Sequence, residues 1–316
     1  MAFRIGIVEG SDFSEKALEL LRKVGDVSVF DPQHQTLQEF VTSKNALFIR
    51  LKHYWDDELL REARGLRYIC TPTTGLTHID IGYAQSSNIN IICLKGETEF
   101  LKTISATAEH AFGLALALLR RYGQAFLRPD TITWDRDNYK GHEMKGMSTG
   151  IIGMGRVGSL LSGYLHAFGV EQYYYDICGD EGNTYQAQRT DSIYALVDAV
   201  EIIFLCASYE KVNAHMISRS ILKRMKGKYF INTSRGELVE ENALLALIKK
   251  HHFAGVALDV VEGEPGETRA KDFCALTGTH NVIITPHIAG ATYSSMWATE
   301  EFIAGKLVTA LGGLYR

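Results

Sequence analysis

Short apolar runs alternate with segments of helical periodicity along most of the chain. The runs have the length of buried strands, and the segments between them carry apolar residues at the spacing of amphipathic helices. This alternation predicts an α/β fold with parallel sheets and crossover helices. The predicted strands are 4–8, 46–49, 68–70, 90–93, 149–152, 171–175, 201–205, 228–232, 254–258 and 282–285.

One predicted helix, at 103–122, differs from the others at 36–43, 156–168, 191–199 and 240–250. It is apolar on almost every face, and such a helix must be buried on most faces. We expect it at the seam between two domains or in a dimer core. A length of 316 residues indicates two domains, and only five prolines suggest that ordered elements join them.

Composition and charge narrow the function. The chain has 33 Lys and Arg against 37 Asp and Glu, a net charge of -4. This mild acidity argues against nucleic acid as a partner. Five cysteines without a Cys-x-x-Cys pair predict reduced thiols. The first residues predict a strand and not a signal peptide, and no apolar segment is long enough to span a membrane. We therefore predict a cytoplasmic protein without nucleic-acid or membrane partners.

The segment TGIIGMGRVG, at 149–158, has the features of a dinucleotide site. Gly153 would form the tight turn, Gly155 would let the backbone approach a pyrophosphate, and Gly158 would let the helix pack closely on the strand. The anion would lie at the positive end of the helix dipole. A second strand then ends at Asp176, where a carboxylate would bind the ribose hydroxyls. Because a carboxylate repels a 2′-phosphate, this pattern favours NAD over NADP.

Three later strand ends carry residues suited to reduction of a 2-oxo acid. They lie in the segments 231–239, 255–265 and 282–292. This reaction requires a cation for the substrate carboxylate, a proton donor for the developing alkoxide, and a group that keeps the donor protonated. Ligands of open α/β sheets bind beyond the carboxyl ends of the strands, so these segments could converge.

These motifs resemble the D-isomer-specific 2-hydroxyacid dehydrogenase family, which includes glycerate, lactate and phosphoglycerate dehydrogenases. After the glycine loop and Asp176 come Asn-x-x-Arg-Gly at 232–236, Asp-Val-x-Glu-x-Glu-Pro at 259–265 and Thr-Pro-His-Ile-x-Gly at 285–290. The resemblance covers nearly the whole chain.

The resemblance implies two doubly wound parallel-sheet domains with the active site in the cleft between them. A Rossmann-type NAD-binding domain would span 98–288, and a flavodoxin-like substrate domain would comprise 1–97 plus 289–316. The helix at 103–122 and the stretch after His287 would be the two crossovers. Family members usually form homodimers through the cofactor domain, and Trp134 would suit such a contact.

The resemblance also assigns catalytic roles. Arg235 would bind the substrate carboxylate through its planar guanidinium. His287 would be the general acid in reduction and the base in oxidation. Glu264 would hydrogen-bond His287 and favour its protonated form. Taken alone, each could be an ordinary surface residue; their joint occurrence behind the glycine loop favours the catalytic interpretation.

Further residues are implied at the two binding sites. Backbone amides at Thr74, Gly75 and Leu76 would hold the substrate carboxylate. Besides the three glycines and Asp176, the residues expected at the cofactor are Thr107, Arg156, Val157, Ala207, Thr233 and Asp259. No metal site is predicted, and the other histidines are given no role.

The sequence departs from the family at the substrate loop, where Thr77-His78 replaces the usual Asp-Asn pair. Ser208 also replaces a usual proline beside the cofactor. The phosphoglycerate branch has an arginine where this chain has Thr71, which weakens the case for a phosphorylated substrate. Arg50 matches a basic position of that branch, so the alternative stays open.

Two other functions stay open at this stage. An NAD(H)-responsive corepressor of the same fold could keep Arg235, Glu264 and His287 and bind a peptide. An enzyme acting on another anion, such as phosphite, could keep the same residues, whereas the formate branch lacks the Glu-His pair. The leading hypothesis is an NAD-dependent oxidoreductase of a small 2-oxo or 2-hydroxy acid.

Overall fold

The computed structural model describes residues 3–126, 136–178 and 184–312. The chain divides into two compact units, Met1–Thr103 with Ala291–Arg316, and Ile104–Gly290. From the sequence, the two domain boundaries were predicted at 97/98 and 288/289. The assignment of one domain to the substrate and the other to the cofactor stays a prediction. Trp134, the expected dimer contact, lies outside the described residues.

The first unit contains a five-stranded parallel sheet with the order β2-β1-β3-β4-β5. This is the strand order of flavodoxin-like folds. Its strands are β1 (Arg4–Ile7), β2 (Asp26–Val29), β3 (Ala46–Phe48), β4 (Tyr68–Cys70) and β5 (Asn90–Ile92). Its helices are α1 (Glu15–Arg22), α2 (Leu37–Val41), α3 (Asp57–Glu62), α4 (Ile81–Ser86), α5 (Thr98–Leu101) and α13 (Tyr293–Gly312), whose label follows chain order.

A buried ion pair anchors α13 to the strand edge of this unit. The fully buried Glu300 accepts hydrogen bonds from Arg50 Nε at 3.0 Å and Nη2 at 2.5 Å. Its other oxygen accepts the N–H of Ser14 at 2.8 Å, directly before α1. Arg50 Nη1 donates to the carbonyl of Ser11 at 3.0 Å. The pair therefore joins the end of β3, the start of α1 and the middle of α13.

The second unit contains a seven-stranded sheet with the order β12-β11-β10-β9-β6-β7-β8, and all its pairings are parallel. The order reverses between β6 and β9, which is the switch point of a Rossmann-type sheet. The strands are β6 (Ser148–Ile152), β7 (Glu171–Tyr175), β8 (Gln188–Arg189), β9 (Ile202–Leu205), β10 (Tyr229–Asn232), β11 (Gly255–Leu258) and β12 (Val282–Ile284).

Helices of the second unit cover both faces of this sheet. They are α6 (Ala106–Leu119), α7 (Tyr122–Phe126), α8 (Arg156–Ala167), α9 (Ile193–Ala199), α10 (Arg219–Arg224), α11 (Glu241–Ile248) and α12 (Ala270–Cys274). One core lies under α9 to α12, and a second under α6 and α8. Each core packs on the fully buried strands β9, β10 and β11, which explains their continuous apolar runs.

The predicted helix at 103–122 was too long. The structure ends α6 at Leu119, and Arg121 takes a positive φ of 54° before α7 begins. Adjacent charged residues, Arg120 and Arg121, are exposed at this break, because burying them in an apolar core would be unfavourable. The remaining helix is buried mainly through Ala and Leu side chains.

All ten predicted strands are found with small differences at their ends, so the predicted α/β class with two parallel sheets is confirmed. The sequence missed β2 and β8. Strand β2 (DVSV) has exposed ends, and β8 has only two exposed residues, so neither forms an apolar run. In the described part of the chain, no helix has both the length and the hydropathy needed to cross a membrane.

We predict that Glu300→Ala lowers the free energy of unfolding by about 3 kcal/mol, because it leaves Arg50 without its partner. Urea unfolding followed by the fluorescence of Trp55, fully buried in the same unit, would measure this loss. The exposed Glu62 provides a matched control, and Glu62→Ala should change stability by less than about 0.5 kcal/mol. Equal effects of the two substitutions would contradict the anchoring role of Glu300.

Candidate active site

The glycine turn joins β6 to α8 at the switch point of the large sheet. Gly153 has a φ of 97°, and a Cβ there would lie 2.5 Å from the backbone nitrogen of Ala207, after β9. A Cβ on Gly158 would lie 2.3 Å from the carbonyl oxygen of Gly153, so α8 packs against the turn. A Cβ on Gly155 would meet open space. This open backbone at a helix N-terminus fits the pyrophosphate of a dinucleotide.

Asp176 follows β7 and braces the glycine turn. One carboxylate oxygen accepts the N–H of Met154 at 2.6 Å, and the other accepts the N–H of Cys178 at 2.8 Å. Arg189, at the end of β8, donates to the carbonyl oxygens of Asp176 and Cys178 at 3.1 Å each. The carboxylate is therefore held at the carboxyl edge of the sheet, beside the turn expected to bind the pyrophosphate.

The other residues expected at the cofactor lie on elements around this turn. Arg156 and Val157 open α8, and Arg156 donates to the carbonyl of Ile104 at 2.8 Å. Ala207 follows β9, the buried Thr233 follows β10, and Thr107 lies in the first turn of α6. All of these residues belong to the second unit.

Arg235 lies in a turn that its own neighbours shape. Asn232, almost fully buried, donates through Nδ2 to the carbonyl of Arg235 at 3.0 Å and accepts the N–H of Ser234 at 3.0 Å. Ser234 Oγ donates to the carbonyl of Leu205 at 2.9 Å, which ties the turn to β9. A Cβ on Gly236 would lie 2.0 Å from the backbone nitrogen of Glu262, so this turn packs directly on the loop after β11.

Most donors of the Arg235 guanidinium have no acceptor among the described residues. Nη1 donates to the carbonyl of Ser234 at 2.7 Å. It makes no other hydrogen bond within the described residues, so the remaining N–H groups can bind a carboxylate. Burial lowers the pKa of Arg235 from its ordinary value, and the nearby carboxylates of Glu237 and Glu264 act in the opposite direction. Arginine stays charged in proteins despite such shifts.

Glu264 and His287 are joined by a hydrogen bond. His287 Nδ1 lies 2.7 Å from Glu264 Oε2, and both side chains are about one-quarter exposed, at 26% and 25%. Because an ionised carboxylate can only accept, Nδ1 must carry the proton of this bond. The other oxygen of Glu264 accepts the N–H of Val261 at 3.3 Å. His287 Nε2 is consequently the nitrogen that can face a reactant.

His287 has a positive φ of 54°, a conformation that is strained for residues with a side chain. Its N–H donates to the carbonyl oxygens of Asp259 at 2.8 Å and Thr285 at 3.0 Å. The carboxylate of Asp259 accepts the next two N–H groups, of Ile288 and Ala289, at 2.9 Å each. Asp259 therefore fixes the conformation of the backbone at His287 and at the two residues that follow.

Asp259 is a buried carboxylate whose side chain is 0% exposed. Burial alone would raise its pKa, but hydrogen bonds from His110, Thr285, Ala289 and Ile288 outweigh this effect and hold the pKa below its ordinary value. Thr285 Oγ1 donates to Oδ1 at 2.5 Å. The carboxylate is thus ionised and enclosed by protein donors, and its expected place at the cofactor stays a prediction.

In the first unit, the predicted substrate loop follows β4. The N–H groups of Thr74, Gly75 and Leu76 donate to no acceptor in the part of the chain described by the structure. Thr73 Oγ1 donates to the carbonyl of Gly75 at 2.9 Å, and Leu76 accepts the N–H of Ile79 at 3.1 Å. These contacts shape the loop around the three successive amides.

Comparison with known proteins decides the family. The profile of the D-isomer specific 2-hydroxyacid dehydrogenase, NAD binding domain, matches residues 112–289. A glyoxylate reductase from Thermofilum pendens is 32% identical over 95% of this chain and 89% of its own length. The chain belongs to the D-isomer specific 2-hydroxyacid dehydrogenase family.

Solved structures agree with this family. The D-lactate dehydrogenase of Aquifex aeolicus, in complex with NAD and lactic acid, has a TM-score of 0.82 and 26% identity over 98% of this chain and 96% of that one. The apo D-lactate dehydrogenase of Escherichia coli has the same TM-score at 22% identity, over 98% of both chains, and shows the fold alone. The resemblance inferred from the motifs is confirmed, and the protein is an NAD-dependent oxidoreductase of 2-hydroxy acids.

Several residues that contact these loops were not predicted from the sequence. His110 had been given no role, yet its imidazole contacts Asp259 and Thr285. A histidine interrupting an apolar helix three residues after Thr107 was the available signal. Asn232 and Thr285 were recognised only as members of motifs and were given no role of their own, because a sequence does not reveal which groups a side chain contacts.

Glu241 was also missed, and it supports the loop that carries Glu264. It is 4% exposed at the start of α11, and Oε1 accepts the N–H of Glu262 at 2.7 Å. Oε2 is buried without a hydrogen-bond partner in the structure described. Burial raises the pKa of Glu241 to about 7. The hydrogen bond from the N–H of Glu262 acts in the opposite direction, and the negative charges of Glu262 and Glu237 act in the same direction as burial.

We predict that Glu241→Gln stabilises the enzyme at pH 8 by about 2–3 kcal/mol, since one pKa unit corresponds to about 1.4 kcal/mol. A raised carboxylate pKa means that the folded state binds more protons than the unfolded state, so ionised Glu241 destabilises the fold as pH rises from about 4.5 to about 7. The gain should disappear below pH 4.5. Urea unfolding of both proteins across this range would test it, and a gain independent of pH would contradict it.

Proposed function

We propose that the enzyme interconverts a small, unphosphorylated D-2-hydroxy acid and its 2-oxo acid, with His287 as general acid and base. The 2.7 Å hydrogen bond between His287 Nδ1 and Glu264 Oε2 carries this proposal. It fixes the ring with Nδ1 toward the carboxylate, which leaves Nε2 to donate a proton in reduction and accept one in oxidation.

NAD supplies or accepts the hydride when it is bound. We propose that the glycine turn binds its pyrophosphate, that Asp176 binds the adenosine ribose, and that Thr107, Arg156, Val157, Ala207 and Thr233 line its site. The open backbone at Gly155 and the carboxylate held beside the turn support this assignment. A carboxylate at this position also disfavours a 2′-phosphate, which explains a preference for NAD over NADP.

Arg235 would bind the substrate carboxylate and polarise its keto oxygen. Its free N–H donors and its proximity to Glu264 support this role. The amides of Thr74, Gly75 and Leu76 stay the predicted neutral donors for a substrate carboxylate. Donors of these kinds suit a short 2-oxo or 2-hydroxy acid, and two relatives are named for or bound to such acids, glyoxylate and lactic acid.

Arg50 argues against a phosphorylated substrate. The sequence left this option open because Arg50 matches a basic position of the phosphoglycerate branch. In the structure, its guanidinium donates to Glu300 and to the carbonyl of Ser11. A guanidinium already paired with a buried carboxylate is not available to neutralise a phosphate.

The corepressor alternative is not favoured, because the relatives of this chain carry the names of enzymes, a glyoxylate reductase and a D-lactate dehydrogenase. We also propose a homodimer, as the family resemblance implies. The stacked and exposed rings of Tyr122 and Phe126 provide an apolar surface on the second unit. Sedimentation analysis would test this state.

We predict that His287→Ala lowers kcat for reduction of glyoxylate or pyruvate with NADH by ~10²- to 10⁴-fold, the contribution of a general acid. NADH oxidation at 340 nm would measure the loss, and fluorescence titration should show that NADH binding is retained. The exposed His166 is the matched control, and His166→Ala should turn over normally. Near-normal turnover by His287→Ala would overturn the proposed mechanism.

We further predict that phosphohydroxypyruvate is a poorer substrate than hydroxypyruvate. The reason is that Arg50 remains paired with Glu300 and cannot accept the phosphate. Comparison of kcat/KM for the two acids, with NADH saturating, tests this directly. A higher kcat/KM for the phosphorylated acid would show that another group binds phosphate.

A further inference from the structure

His110 lies on α6, one helical turn after Thr107, and is half-buried. Its Nε2 lies 3.1 Å from Thr285 Oγ1 and 3.3 Å from Asp259 Oδ1. These two oxygens belong to the residues that hold the backbone around His287. His110 therefore contacts the side chains of two residues that hold the backbone of His287, the proposed catalytic residue.

The direction of these hydrogen bonds follows from the donors available. Thr285 has one hydroxyl hydrogen, and it is donated to Asp259 Oδ1 at 2.5 Å. The carboxylate can only accept. Neither Thr285 Oγ1 nor Asp259 Oδ1 therefore has a hydrogen to donate to His110. The hydrogen of these contacts must come from His110, so its Nε2 is protonated and donates toward both oxygens.

Asp259 transmits this contact to the loop after β12. Its carboxylate accepts the N–H groups of Ile288 and Ala289, and its carbonyl accepts the N–H of His287. The orientation of the carboxylate consequently determines where these N–H groups lie. Because His287 has a strained positive φ, its backbone depends on such contacts to keep its conformation.

The helix provides a rigid base for this donor. Ala108 and Ala111, on either side of His110, are buried in the core that α6 shares with α8 and the sheet. The polar atom of His110 thus has a defined position relative to the sheet. An apolar residue at 110 could fill the same space, but it would leave Asp259 and Thr285 without this donor.

We propose that His110 is a positioning residue for hydride transfer, which orients Asp259 and Thr285 and through them keeps His287 at the reacting centre. This proposal rests on the proposed role of His287. It assigns His110 no contact with substrate or cofactor, so its effect should appear in kcat and not in the binding of NADH.

Two substitutions separate the donor from the bulk of the side chain. His110→Leu removes the donor, and we expect kcat to fall at least about tenfold, since a misplacement of about 1 Å can lower rates by ~10²-fold. His110→Gln places an amide N–H at a similar reach and should recover most of the activity. The Kd for NADH and the KM for the 2-oxo acid should stay unchanged in both, and the His166→Leu control should behave as the parent.

A double-mutant cycle tests whether His110 acts through His287. His110→Leu should lower kcat in the parent enzyme and have no further effect when His287 is already alanine. An equal loss in both backgrounds, or a rise in the Kd for NADH that matches the loss of kcat, would overturn the proposal. If His110→Leu does not fold, Thr285→Val removes the intervening hydroxyl and must show the same dependence on His287.

The cycle also separates this proposal from the proposed function. Near-normal turnover by His287→Ala alone would refute the role of His287 and, with it, the positioning role of His110. Loss of activity in His287→Ala with full activity in His110→Leu would refute only the role of His110.

Discussion

Parallel pairing throughout the large sheet places the loops after β6, β7, β9, β10, β11 and β12 along one edge. The glycine turn, Asp176, the Arg235 turn, the Glu264 loop and the His287 loop all follow carboxyl ends of strands. Close backbone contacts then join these loops in pairs, as between Gly236 and Glu262. Residues far apart in the chain become neighbours because the register of the buried strands aligns their ends.

At this edge of the sheet, the buried carboxylate of Asp259 binds the segment that carries His287. An ionised group is stable inside a protein only when donors surround it, and here the donors come from α6 and from the segment 285–289. The requirement to surround one charge with donors thereby brings α6 and the loop of His287 together. The cost of burying the carboxylate is offset by hydrogen bonds that also define the backbone of His287.

Supporting residues of this kind are difficult to predict from a sequence. Arg235, Glu264 and His287 stand out because their residue types match a reaction and lie in recognisable motifs. The supporting residues contact backbone groups or other supporting side chains. The partner of Asn232 lies in its own turn, whereas the partners of Glu241 and His110 lie 21 and 175 positions away in the chain. Arg50 shows the opposite error, since a basic residue that suggested a phosphate site is paired with Glu300.

The sequence by itself determined the α/β class, nearly every strand, the glycine turn between β6 and α8 and the family, because these depend on local periodicity and on motifs whose residues are close in the chain. Tertiary structure decided the end of α6 at Leu119, the edge strands β2 and β8, and the partners of every buried charge. These features depend on burial and on contacts between distant segments. Hydrogen bonds to Asp259 and Glu300 form only once packing excludes water from them, so no local pattern encodes them.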